Sequence, residues 1–254
     1  MRTRPSKARE DLARLLWAPS GSRRLPSTGV LDAALSRLRR GELADLAELD
    51  ARGPLYLLPT RELVRALAAR IRALGARRIV EVAAGDGFLS EALRRAAPDL
   101  RVTATDSGAW VDPRARMNAR ERRRYRRVDV PGVRMGASVL PLEARDAIAR
   151  LRPDLLLASW LPPGTLLERL IRAPVRYVLE IGARDGVTPG AWNWRFAHEF
   201  CEEVEEHARC RLDERPRREL HSRVTLYFGG AHPEHARERV RPGDWLWQFR
   251  PRRE

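Results

Sequence analysis

Apolar and polar positions follow two periods along this chain, and the period changes near residue 78. Before that point the spacing is helical. Leu12, Leu15 and Leu16 fit a short helix, and loop signals follow at 19–22 and 26–29. Val30, Leu31, Ala34, Leu35 and Leu38 return at helical spacing as far as Gly41. Leu43, Leu46 and Leu49 carry the pattern to Gly53-Pro54. A stronger helix is expected after Thr60 as N-cap, with Leu63, Val64, Leu67, Ala68, Ile71 and Leu74 on one face and Gly75 as its stop.

From Arg78 onward, short β-branched or leucine-rich runs alternate with helical ones. Strands are expected at 79–82, 100–105, 139–142 (weakened by Pro141), 154–159 and 177–181, with two late ones at 210–212 and 224–228. Helices are expected at 88–97, 144–151 and 195–209. Such alternation points to an α/β fold with a parallel sheet covered on both faces.

Composition narrows the class. The chain has 254 residues, 43% of them apolar, which is enough for a sizeable core. No apolar run reaches the ~18 residues of a membrane helix, and no secretory stretch follows residues 1–5. Cys201 and Cys210 cannot make a disulfide framework, so a reducing cytoplasm is the expected setting. The formal net charge is +15, and Lys7 is the only lysine beside 48 arginines. A high-GC coding bias explains arginine in place of lysine, but not the excess of positive charge. That excess draws phosphate, nucleic acid or acidic substrates.

The segment richest in chemical information is Val80-Glu81-Val82-Ala83-Ala84-Gly85-Asp86-Gly87-Phe88-Leu89-Ser90. It follows a strand and opens a helix. Glycines there let a ligand approach the backbone, and the helix start offers free N–H groups. Asp106 ends the next strand, 19 residues after Gly87. That is the distance expected of a carboxylate that accepts ribose hydroxyls.

This combination resembles the class I S-adenosylmethionine-dependent methyltransferases over about residues 54–230. Their first motif reads acidic-x-Gly-x-Gly-x-Gly and is matched by Glu81, Ala83, Gly85 and Gly87, with alanine replacing the first glycine. The resemblance implies a Rossmann-like, mostly parallel seven-stranded sheet with helices on both faces. Residues 1–53 would then be a helical N-terminal extension and 54–254 the methyltransferase-like domain. S-adenosylmethionine is the implied cosubstrate, held by Glu81, Ala83, Gly85, Asp86 and Gly87 of the loop and by Asp106 and Ser107 at its ribose. Glu143 and Ala144 are the implied adenine contacts, although Glu143 is equally an ordinary first-turn carboxylate. NAD binding fits less well, because Ser90 stands at the third glycine of the dinucleotide fingerprint.

Ser159-Trp160-Leu161-Pro162-Pro163 partly matches the Asn/Asp/Ser-Pro-Pro-aromatic tetrad of amino methyltransferases, with two residues inserted. Ser159 and Trp160 join the cosubstrate candidates, and Tyr56, Pro162, Trp192 and Trp194 are acceptor candidates. Leu179-Glu180-Ile181-Gly182 mimics the first motif but is read as leading into a loop on the pocket rim. No metal is expected from His198, Cys201, His207 and Cys210: on one helix His198 and Cys210 would lie about 18 Å apart. No catalytic base is assigned. A methyltransferase acting on a small molecule or peptide is the leading expectation. An RNA methyltransferase using Arg114 to Arg127 for phosphate, and a non-catalytic binding module on the same fold, stay open.

Overall fold

The computed structural model describes residues 6–43, 46, 55–109, 111, 112, 119, 133–162, 164–183, 188–212 and 222–236. Its centre is a seven-stranded sheet: β1 (Arg78–Val82), β2 (Arg101–Asp106), β3 (Leu140–Pro141), β4 (Leu155–Ser159), β5 (Tyr177–Ala183), β6 (His198–Phe200) and β7 (Ser222–Phe228). Their order is β3-β2-β1-β4-β5-β7-β6. Strands β3, β2, β1, β4 and β5 pair in parallel, and β7 runs antiparallel to both β5 and β6. The sheet is therefore mostly rather than wholly parallel. Chain order reverses between β1 and β4, which opens a crevice at their carboxyl ends.

The helices are α1 (Lys7–Leu16), α2 (Thr28–Leu35), α3 (Arg61–Ala73), α4 (Phe88–Ala96), α5 (Ala144–Leu151), α6 (Leu166–Ile171) and the one-turn α7 (Gly190–Asn193) and α8 (Glu202–Glu205). The strand period of two divides the core. Ile79, Leu155, Leu157, Leu179 and Ile181 face α3 and α4, and Val80, Val82, Leu156 and Val178 face α5 and α6. Thr60 caps α3, its hydroxyl accepting from the Leu63 N–H at 3.1 Å. Leu63, Leu67 and Ile71 of α3 are fully buried, worth about 2 kcal/mol each.

A third cluster joins α1 and α2: Leu12, Leu16, Leu31, Leu35, Leu43, Leu46, Leu55 and Leu58. It is tied to the sheet body by polar contacts. Arg209, almost fully buried, makes a bidentate pair with Asp32 at 2.7 and 2.9 Å. The Glu62 carboxylate accepts from the Thr28 N–H and hydroxyl.

The expected helix over 195–209 is corrected. Residues 198–200 form β6 at the sheet edge, and only 202–205 are helical. His198, Phe200 and Trp194 pack as aromatics, which favours extended backbone there. The expected strand at 210–212 is corrected too: Cys210 makes a single bridge, to Leu57. Helix α6 had not been expected.

Candidate functional site

The turn after β1 is built on left-handed backbone. Ala83, Gly85 and Gly87 have φ of 52°, 56° and 72°. Ala83 stands where the resemblance expects glycine, and it adopts the glycine-favoured conformation at a cost of about 1 kcal/mol. The turn is closed by the Ala84 N–H on Thr105 O (3.0 Å) and the Gly87 N–H on Ala84 O (2.9 Å). The glycines are needed by the chain itself. A Cβ at Gly87 would lie 2.6 Å from Val139, and one at Gly85 would lie 3.0 Å from Val133. Residues 133–139 rest on the loop, and a Cβ at Gly136 would overlap the Asp86 carbonyl oxygen.

Asp106 is fixed in place. Its Oδ2 accepts the Gly85 N–H at 2.9 Å and its Oδ1 the Gly108 N–H at 2.8 Å. A carboxylate has about four lone-pair sites, so two remain for a ligand. Glu81 is buried and accepts from Ser90 N (3.1 Å) and Ser90 Oγ (2.6 Å), both at Oε2. Burial pushes its carboxyl up to about 7, and the Asp86 charge adds to this while the Ser90 bonds oppose it. Asp86 accepts from Phe88 N and pairs with Arg23 at 2.8 Å. Arg23 also lies over the Phe88 ring, 4.5 Å from its centroid.

These residues surround a cavity of about 660 Å³ at the crevice between β1 and β4. On the glycine-loop side its wall holds Glu81, Ala83, Gly85, Asp86 and Asp106, with Arg23 and Val133. On the β4 side it holds Tyr56, Ser159, Trp160, Leu161, Pro162 and Arg211. The structure thus brings together the loop, the acid ending β2 and the turn after β4. Gly87, Ser107, Glu143 and Ala144 do not line it: Gly87 is buried behind the loop, and Ser107 and Glu143 are exposed.

Two acceptor candidates lie elsewhere. Trp192 is 65% exposed, and Trp194 is buried in the core against Phe200. Neither lines the cavity; Gly190, Ala191 and Asn193 are the buried residues of α7, which packs against β5. The second acidic-glycine stretch forms no second glycine turn within β5: the strand runs through Ala183 and Glu180 is buried off the cavity wall, while residues 184–187 of the expected rim loop lie outside the described residues. The Glu180 carboxyl fills the space that two glycines leave: a Cβ at Gly182 would overlap Oε1, and one at Gly190 would lie 2.9 Å from Oε2. Burial pushes this carboxyl up to about 8.

His198, Cys201, His207 and Cys210 do not share one helix. Among the described residues no group of three or more His, Cys, Asp or Glu is arranged to hold a metal. The candidates Pro163 and Arg114 to Arg127 lie outside the described residues.

No protein-family model and no curated protein matches the sequence. Solved structures do show similarity. The human methyltransferase 10 domain containing protein is 12% identical, with 69% of this chain and 85% of that chain covered at a TM-score of 0.38. Precorrin-6y C5,15-methyltransferase from Geobacter metallireducens GS-15 is 12% identical, covering 67% and 89% at 0.38. The plantazolicin methyltransferase BpumL in complex with SAH is 9% identical, covering 66% and 84% at 0.36. At such TM-scores the functional reading rests on this chain's own geometry.

Proposed function

We propose that this chain is an S-adenosylmethionine-dependent methyltransferase on a Rossmann-like sheet, acting on a small-molecule or peptide acceptor. The anchored Asp106 carboxylate supports this most. It ends β2, is held by two backbone N–H groups, and faces the crevice with acceptor capacity left for two vicinal hydroxyls. Glu81 lies on the same wall, where its carboxyl is suited to meet a ligand cation.

The bound cosubstrate supplies a methyl group on a sulfonium centre. The protein's contribution is to hold and align the two reactants and to keep water out, which accounts for much of the acceleration in a displacement of this kind. No residue is assigned as base. Residues 1–53 read as a helical extension that contributes Trp17 and Arg23 to the cavity wall of the 54–254 domain. A cytoplasmic setting suits the two buried free thiols, Cys201 and Cys210. Among the described residues no helix is long and apolar enough to cross a membrane.

Calorimetric titration with S-adenosylmethionine and S-adenosylhomocysteine tests the reading. Wild type should bind both. Asp106→Ala should weaken binding by ten- to a hundredfold through lost charge-assisted hydrogen bonds. Because Asp106 also holds the loop, Asp106→Asn and a circular dichroism control accompany it. Absence of binding to both ligands, or wild-type affinity in a folded Asp106→Ala, refutes the proposal.

The excess basic charge favours RNA as the second acceptor class. That version requires RNA affinity that falls steeply with salt and a shallower slope when Arg122 to Arg127 are neutralised. Salt-independent or absent RNA binding removes it. The non-catalytic module is excluded by transfer of labelled methyl groups to any fraction of a cell extract.

A further inference from the structure

A groove of about 420 Å³ lies beside the cavity, between α3 and α4. Its floor is apolar: Val64 and Ala92 are buried there, and Leu25, Phe88 and Ala96 complete it. The rest of its lining is Arg23, Arg61, Arg65 and Arg95, with no carboxylate among the described residues. Arg23, Phe88 and Arg95 line the cavity as well, so the groove runs on into it.

The four arginines are not equivalent. Arg23 is engaged with Asp86 and with the Phe88 ring. Arg95 forms an exposed pair with Glu91, of a kind that contributes little and exchanges readily with another anion. Arg61 donates its Nε–H to Leu25 O at 3.0 Å and meets no carboxylate among the described residues. Arg65 makes no side-chain hydrogen bond, ion pair or ring contact among them. Both are exposed and stand one turn apart on α3, where like charges repel in the free chain. The neighbouring Glu62 carboxylate does not relieve them, because it is turned to Thr28.

An apolar floor under two unneutralised arginines fits a chain that carries an apolar side chain between carboxylates. Nucleic acid fits less well: phosphates would leave the aliphatic floor uncovered, and the one ring in it, Phe88, already carries Arg23. Charge also argues against this chain as its own occupant. A second copy brings a net charge of +15, and residues 237–254 hold six arginines against three carboxylates. Asp45, Glu48 and Asp50 surround Leu46, but that leucine is buried in the cluster of α1 and α2. We propose, building on the methyltransferase reading, that the acceptor is a peptide and that this groove takes an acidic flank of it. An apolar side chain of the peptide rests on Val64 and Ala92, its carboxylates meet Arg61 and Arg65, and the residue to be modified enters the cavity.

The test uses the full chain and fluorescence anisotropy with three labelled peptides of equal length. One carries a leucine between paired glutamates, the second has lysines for the glutamates, and the third has serine for the leucine. The glutamate–leucine peptide should bind about tenfold tighter than either of the others, and more weakly as salt rises. Arg65→Glu should remove that preference, and Arg65→Lys, which keeps the charge, should restore most of it. The double variant Arg61→Glu with Arg65→Glu should favour the lysine peptide instead. A melting control shows that each variant folds, and the peptide ranking in wild type needs no variant at all. Absence of saturable binding by the glutamate–leucine peptide overturns the proposal, as does equal binding of the lysine or serine peptide. So does an unchanged ranking in Arg65→Glu, or a short single-stranded RNA that binds in preference to every peptide. Peptide binding that depends on Arg65 while S-adenosylhomocysteine fails to bind sustains the groove and sinks the methyl-transfer reading. Binding of S-adenosylhomocysteine without the peptide does the reverse.

Discussion

Glu180 makes folding stability depend on pH with a sign opposite to that of a paired surface carboxylate. It is buried under β5 between Gly182 and Gly190, with Oε1 lacking a hydrogen-bond partner among the described residues. The buried hydroxyl of Tyr227 donates to Gly190 O at 3.0 Å rather than to this carboxyl. Below about pH 4.5 the carboxyl is protonated in both folded and unfolded chains and contributes nothing. Above that, the unfolded chain ionises while the folded one keeps its proton to about pH 8. Stability is then lost at up to about 1.4 kcal/mol per pH unit, saturating above pH 8 near 5 kcal/mol as an upper bound. Glu180→Gln keeps the volume and stays neutral, so this loss disappears. The stability of the variant relative to wild type should therefore rise by about 3–4 kcal/mol between pH 5 and pH 8. Urea unfolding of both proteins at pH 5, 6.5 and 8 measures it. Glu81 titrates in both and cancels in the difference. A difference that stays constant across those pH values refutes the reasoning, because any pH-independent effect of the amide would only shift the curves.

Glu81 gives a ligand-linked counterpart. Its carboxyl ionises at about 7 in the free protein, and a cationic ligand favours the charged form. Affinity for S-adenosylmethionine should therefore rise up to tenfold from pH 6 to pH 8, with proton release visible in buffers of different ionisation enthalpy. Glu81→Gln should flatten that dependence, and an equally steep profile in this variant would count against the assignment. Gly136→Ala places a methyl group against the Asp86 carbonyl oxygen, a backbone atom that cannot rotate away. A stability loss of about 2 kcal/mol is expected in thermal or urea unfolding, together with weaker cosubstrate binding, and a neutral result would show that residues 133–139 do not brace the loop.

The parallel half of the sheet was legible because its strands carry uninterrupted apolar runs between amphipathic helices. Leu155-Leu156-Leu157-Ala158 is buried on both faces, and α3 announces itself through Thr60 and a clean apolar stripe. The last third of the chain was not legible for a physical reason. Edge strand β6 has three residues, pairs on one side only, and shows a partly buried pattern with no periodicity to read. The Glu-rich stretch after it looks like a helix face, yet only one turn forms before His207, with Val204 as its single buried residue. Trp192 and Trp194, two residues apart, went to opposite fates, solvent and core, because a one-turn helix sets their directions and no stripe reveals which faces inward.

The site was half legible, along the line that separates local from non-local chemistry. Glu81, Gly85 and Asp106 share a strand–turn–helix–strand unit in which spacing dictates position, so a motif can find them. Arg23 and Arg211 reach the cavity from 63 residues before Asp86 and 155 residues after Tyr56, through contacts that no local pattern encodes. In a chain with 48 arginines neither carries a compositional signal. The net charge of +15 therefore does not identify which arginines would meet a partner, since the same residue type serves in surface pairs such as Arg172–Glu168 and Arg78–Asp154 and in the cavity wall. What sets the chemistry of Arg211 is the two rings beneath it and the bridge between residues 57 and 210 that keeps them there. The β4 side of the cavity thus depends on a contact between segments lying outside the glycine motif. On this reasoning substitution at Tyr56, Trp160 or Arg211 reshapes that side while the Asp106 end of the cavity stays as it is.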